Sequence, residues 1–98
     1  MKERKYLINT TKRVDKKIQK IIRNDKKLDK RLRKVFRQLE MDPFYKGLKT
    51  HKVNTPKWEM AYSSRVTGDL RLLWYLYQNN LLILIIDIGG HEGSKSVY

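Results

Sequence analysis

The chain predicts an α+β fold of order β-α-α-β-β-β, with a helical hairpin packed on one face of a small, mainly antiparallel sheet. Three observations predict it. Two apolar stripes at helical spacing lie between Val14 and Leu39, and a turn separates them. Two segments of alternating character follow from Trp58 onward. A continuous apolar run, Leu81 to Ile86, then supplies a strand buried on both faces. At 98 residues the chain is read as a single domain over 1–98 with room for one core.

Each element can be justified in turn. Lys5 to Asn9 reads as a short strand, and Thr10 or Thr11 offers a hydroxyl N-cap for the first helix. Val14, Ile18, Ile21 and Ile22 form its stripe. Asn24-Asp25 interrupts the pattern, and Asp25 can cap a second helix with the stripe Leu28, Leu32, Val35, Phe36 and Leu39. Pro43 ends that helix by disfavouring the helical conformation at Asp42. Residues 43–57 read as a loop. In the next segment Trp58, Met60, Tyr62 and Val66 share one face, opposite Glu59, Ala61, Ser63 and Arg65. Thr67-Gly68-Asp69 is a hairpin turn. From Leu70 to Tyr77, Leu70, Leu72, Trp74 and Leu76 alternate with Arg71, Leu73, Tyr75 and Tyr77. This parity puts Trp58 and Trp74 on the helix-packed side and Arg65 and Arg71 on the other. Gln78-Asn79-Asn80 is the next turn, and Gly89-Gly90 ends the last strand, leaving His91 to Tyr98 as a tail.

The charge balance points to the partner. The chain has 23 Lys and Arg against 10 Asp and Glu, a net charge of +13. Residues 1–50 hold 18 of the basic and 6 of the acidic side chains, so nearly all the excess lies in the helical half. A polyanion, foremost nucleic acid, is the natural partner of such a surface. No cysteine is present, which excludes disulfides, thiolate metal sites and cysteine nucleophiles. The longest apolar run is too short to span a bilayer. The opening Met1 to Lys5 is charged, and Tyr6-Leu7-Ile8 is too short for a signal-peptide core. The expectation is a cytoplasmic protein with no membrane partner.

No phosphate-binding glycine loop, metal-ligand cluster or catalytic triad signature occurs, so no metal or cofactor is expected. The remaining chemistry-bearing residues are His51, Lys52, Arg65, Asp69, Arg71, His91, Glu92 and Tyr98. In an antiparallel meander Arg65 and Arg71 come together at one end of the face away from the helices, within reach of the loop and the tail. Two imidazoles beside two guanidiniums suit RNA cleavage without a metal. One imidazole takes the 2′-hydroxyl proton, the other protonates the leaving oxygen, and the arginines hold the charge growing on phosphate. A bland reading stands beside this one: solvated histidines, and arginines paired with Glu59, Asp69 or Glu92. Tyr75 and Tyr77 either stack on bases or cover a partner's apolar surface.

The element order, Gly47-Leu48-Lys49, Gly68-Asp69-Leu70-Arg71-Leu72-Leu73-Trp74 and Ile88-Gly89-Gly90-His91 resemble the RelE/ParE toxin superfamily of type II toxin–antitoxin modules. The resemblance covers nearly the whole chain and comes nearest the YafQ-like branch. In that branch a loop His follows a Leu, as His51 follows Leu48; an Asp opens the third strand, as Asp69 does; and a His closes a Gly-x-His motif, as His91 does. The resemblance implies a RelE-like fold and an mRNA interferase that cuts messenger RNA on the ribosome by 2′-hydroxyl attack, held in check by an antitoxin. It implies acid/base roles for His51, Asp69 and His91 and a phosphate clamp at Arg71. Lys49, Lys52, Arg65, Lys95 and Tyr98 are the further RNA- and phosphate-binding candidates. The chain departs from the YafQ pattern at Arg65, where that branch has a second His, and at Lys95, where it has its closing aromatic; here the aromatic is Tyr98. The alternatives are a ParE-like toxin directed at DNA gyrase and a non-catalytic RNA-binding member of the same superfamily.

Overall fold

Two side-chain caps start the helices where the sequence places them. In a computed structural model of the chain, which describes residues 5–90, Thr11 Oγ1 accepts the Val14 N–H at 3.1 Å and begins α1, Lys12–Ile22. Asp25 Oδ1 accepts the Leu28 N–H at 3.0 Å and begins α2, Lys26–Met41. Each cap satisfies an N–H that the first turn would otherwise leave without a partner. The preceding strand β1, Leu7–Thr10, is tied to the end of α2 just before it starts, through Lys5 and Tyr6 N–H bonds to the Glu40 carbonyl.

The remaining strands are β2 (His51–Thr55), β3 (Glu59–Arg65), β4 (Leu70–Tyr77) and β5 (Leu82–Gly90). They form one sheet in the order β1-β5-β4-β3-β2, with β1 parallel to β5 and every other pair antiparallel. The α+β architecture and the mainly antiparallel sheet match the expectation. Two details correct it. Residues 51–55, read as loop, form the edge strand β2. An edge strand exposes most of its side chains, and Val53 is the only large apolar residue here, so its backbone bonds to β3 leave no hydrophobic pattern to read. Gly89 and Gly90 do not end β5 but extend it, paired with Arg71 and Leu70. Ladder hydrogen bonds need no side chain, so these glycines do not stop the strand.

The sheet buries both faces. On the helix side Val14, Leu32, Val35 and Leu39 pack on Leu72, Trp74, Ile83, Ile85 and Ile88, with Leu48 and Val66 closing the edge. Trp74 is fully buried, as its parity predicts. Trp58 is not on that side. It packs with Val53, Tyr75 and Leu84 over a second small cluster of Ala61, Leu73 and Ile86. The cause is Glu59, whose φ of 56° lies in the left-handed region and breaks the alternation between Trp58 and Met60. A bulge in β5 opposite Leu73 and Trp74 shifts parity again, so Ile85 and Ile88 both reach the main core.

The same bulge sets Asp87 into the second face with its side chain 5% exposed. Lys17 Nζ lies 2.7 Å from Oδ1, Trp58 Nε1 donates to Oδ2 at 3.1 Å, and the Ile88 N–H donates to Oδ1 at 2.9 Å. Arg13 adds a looser contact at 3.5 Å. These bonds couple α1, β5 and Trp58, the residue before β3. The helical lysines are therefore not all a solvated surface, since Lys17 is committed to this carboxylate. Burial pushes the Asp87 carboxyl up. The hydrogen bonds from Lys17, Ile88 and Trp58, with the Lys17 charge, outweigh burial and hold it below its ordinary value of 3.8. A carboxyl lowered in the folded state contributes stability above its unfolded pKa, and that contribution fades as pH falls through the folded value. The melting temperature is thus expected to carry no Asp87-dependent slope near neutrality and to drop on acidification below about pH 4. Asp87→Asn should flatten that acid limb in a pH series of thermal melts; an unchanged limb would assign it to other carboxyls.

No helix among the described residues is long and apolar enough to cross a membrane.

Candidate functional site

His51 is held by the turn that delivers it. The chain leaves α2 through Pro43 and a short 3-10 turn, Lys46–Leu48, and Lys49 then takes a left-handed conformation at φ 50°. Such a conformation in a residue other than glycine costs about 1–2 kcal/mol. Here the Lys49 carbonyl lies 3.0 Å from His51 Nδ1. A carbonyl can only accept, so Nδ1 carries the proton, and Nε2 of the neutral ring is left as an acceptor. Thr50 anchors the same turn. Its hydroxyl donates to the Pro43 carbonyl at 2.7 Å and lies 2.6 Å from Ser64 Oγ, while Trp74 Nε1 donates to that Oγ at 2.9 Å. Because the Thr50 proton is used on Pro43, Ser64 is the donor to Thr50. A partly buried chain of three side chains thus fixes the backbone beside His51. Nothing in the sequence pattern singles out Thr50 or Ser64, because neither belongs to a hydrophobic repeat.

Strand register decides which candidates share a face. His51 pairs with Ser63, and Ser63 with Leu73, so His51 lies on the sheet face away from the helices. Arg65 pairs with Arg71, and Arg71 with Gly89, two residues farther along that face. Two strand spacings and two residues put the His51 and Arg71 Cα positions roughly 12 Å apart, a gap that two long side chains and one phosphate can close. Arg71 turns Nη1 back to the carbonyls of Thr67 and Leu70, at 2.6 and 3.4 Å, which braces the guanidinium against the hairpin. Asp69 is exposed in the same hairpin, where its N–H and that of Leu70 donate to Thr67 Oγ1.

Not every candidate joins this group. Lys52 is on the opposite face, its Nζ 5.9 Å from the Tyr62 ring centroid, because successive residues of a strand alternate sides. Arg65 has the expected register beside Arg71, but its side chain turns round the sheet edge and lines grooves with Arg31 of α2. Lys49 stays exposed next to His51. His91, Lys95 and Tyr98 lie outside the described residues. Leu73 is buried and Tyr75 donates its hydroxyl to the Trp58 carbonyl, so of the apolar residues expected to be open on this face only Tyr77 is exposed. Among the described residues no group of three or more His, Asp or Glu side chains could hold a metal ion.

No protein-family model matches the chain, and neither does any curated protein. Solved structures do. The archaeal RelE–RelB complex from Pyrococcus horikoshii OT3 superposes with a TM-score of 0.73 at 20% identity, covering 92% of this chain and 99% of the other. The chain has the RelE/ParE toxin fold. YafQ from Escherichia coli strain BL21(DE3) matches with a TM-score of 0.67 at 18% identity over 87% of this chain and 92% of its own. The YoeB–YefM complex from Staphylococcus aureus matches with a TM-score of 0.66 at 19% identity over 95% of this chain and 98% of the other. At such identities the shared property is the RelE/ParE toxin fold, with its helical pair and five-stranded sheet. What the individual side chains do follows from this chain's own geometry.

Proposed function

We propose that this protein is the toxin of a type II toxin–antitoxin pair and acts in the cytoplasm as an endoribonuclease on ribosome-bound messenger RNA. One observation carries the reading. His51, with Nδ1 bonded to the Lys49 carbonyl, shares a sheet face with the braced guanidinium of Arg71. In the proposed reaction His51 Nε2 accepts the proton of a ribose 2′-hydroxyl. The 2′-oxygen attacks the adjacent phosphorus as the bond to the 5′-oxygen breaks. Arg71 offers N–H donors to the phosphate oxygens as their charge grows, an effect worth about 10²–10³ in rate for a single donor elsewhere. His91 follows Gly90, the residue paired with Leu70, and is assigned the proton for the departing 5′-oxygen. Asp69, two residues before Arg71, is the remaining acid/base candidate. The products are a 2′,3′-cyclic phosphate and a free 5′-hydroxyl, so DNA, which lacks the nucleophile, is not a substrate.

The antitoxin partner is assigned by likeness to RelE–RelB and YoeB–YefM, both solved as complexes. A groove of about 540 Å³ lined by Met60, Tyr62, Leu76 and Tyr77, with Lys52 beside them, suits an amphipathic acidic segment.

Induced expression in a bacterial host, with messenger 5′ ends mapped, tests the reading. Growth arrest with new cuts in translated messages is expected from the wild type, and loss of both in His51→Ala and His91→Ala. Arrest without cuts would move the assignment to a gyrase-directed toxin. Absence of arrest would leave an RNA-binding protein without this chemistry.

A further inference from the structure

We propose that Arg31 and Arg65 form a second anion site, on the β3 edge beside α2, that holds the phosphate backbone of an RNA strand. This site does not depend on cleavage at the other face. Its geometry begins with β2, whose pairing with β3 extends only as far as His51 and Ser63. Arg65 therefore has no β2 residue paired beside it, and its side chain lines grooves with Arg31 of α2. Its Nη2 comes within 3.9 Å of where a methyl group on Gly68 would lie. Its Nε is buried and has no acceptor among the described residues. Arg31 is fixed at the same strand end, donating Nε to the Val66 carbonyl at 2.9 Å.

The two guanidiniums are common to two adjoining grooves, of about 490 and 170 Å³. The first also takes in Lys27 and the second Lys34. Lys27, Arg31 and Lys34 stand at i, i+4 and i+7 on one face of α2, which spaces them about 6 and 4.5 Å along the helix axis. The one carboxylate lining either groove, Asp25, already caps α2 at Leu28. Adjacent like charges repel, and an anion between the two arginines relieves that repulsion. A single carboxylate answers one guanidinium. A phosphodiester chain presents an anion at every step, and it matches a row of cations continued on both sides of the arginine pair. The net charge of +13 favours a polyanion of this kind. Phosphate contacts fix the register of a strand without reading its bases, so the site should be indifferent to sequence.

The test is fluorescence anisotropy of the full chain with a short, labelled 2′-O-methyl RNA. Lacking a 2′-hydroxyl, this probe cannot be cut, so binding is read apart from activity. The double variant Arg31→Gln/Arg65→Gln is expected to weaken binding about tenfold or more, and to reduce the salt slope of log K by about 0.7 per lost phosphate contact. Equal losses with several homopolymers are expected. The control Lys12→Gln/Lys16→Gln removes the same charge from α1 and should move both readouts far less. An equal effect from the control would overturn the proposal in favour of net charge alone. Unchanged binding in the arginine variant would overturn it too, as would polyglutamate binding with the same arginine dependence. Arg31→Lys/Arg65→Lys keeps the charge and removes the fork; it should recover the salt slope and only part of the affinity. It also serves as the test if the glutamine variant does not fold.

Discussion

RNA cleavage by the His51→Ala protein is expected to be slower by about 10²–10⁴-fold, the usual contribution of a positioned general base. Stability should scarcely change, because the ring is exposed and surface substitutions typically stay within about 0.5 kcal/mol. The reason for the large kinetic effect is directional. The Lys49 carbonyl holds the Nδ1 proton, so the acceptor nitrogen of the neutral ring is Nε2. Removing the ring removes the proton acceptor and leaves Arg71 in place. The measurement is a single-turnover rate on ribosome-bound message, beside thermal melts. Wild-type rates in the variant would remove His51 from the chemistry and leave Asp69 and His91 to supply it.

Asp87→Ala is expected to destabilise the fold by about 2–4 kcal/mol, somewhat below the 3–5 kcal/mol typical of breaking a fully buried ion pair. The discount has a structural origin. Lys17 and Arg13 are 37% and 46% exposed, so each can return its charge to water when the carboxylate is gone. Trp58 is only partly exposed, and its Nε1 loses its acceptor, a loss of about 1–3 kcal/mol. For a domain of this size the total corresponds to a fall in melting temperature of roughly 10–25 °C. The double variant Asp87→Leu/Lys17→Met should recover part of it, because replacing both partners leaves no uncompensated charge. A melting temperature within a few degrees of wild type for Asp87→Ala would show that water replaces the carboxylate at little cost.

The second face illustrates where sequence reading stops. Alternation from Leu70 to Tyr77 placed Trp74 in the core and Arg71 opposite it, and both positions hold. The same rule misplaced Trp58, because one left-handed residue, Glu59, resets the parity and has no signature in its residue type. Asp87, just past the apolar run Leu81 to Ile86, is the hub of bonds from α1, from Trp58 and from its own strand. Arg65 was paired correctly with Arg71, but pairing concerns backbones, and a long side chain at a free edge can leave its face.

The sequence by itself determined the helices, their caps at Thr11 and Asp25, most of the strands and the charge on the helical half. These depend on contacts within a few residues and on periodicities that composition preserves. Tertiary structure alone decided that residues 51–55 form a strand, that His51 and Arg71 share a face, and that Arg31 and Arg65 line the same grooves. Each of these joins residues far apart in the chain through backbone pairing or sheet-edge geometry. Such contacts are set by register and by a few irregular backbone angles, and no local pattern of residue types records them.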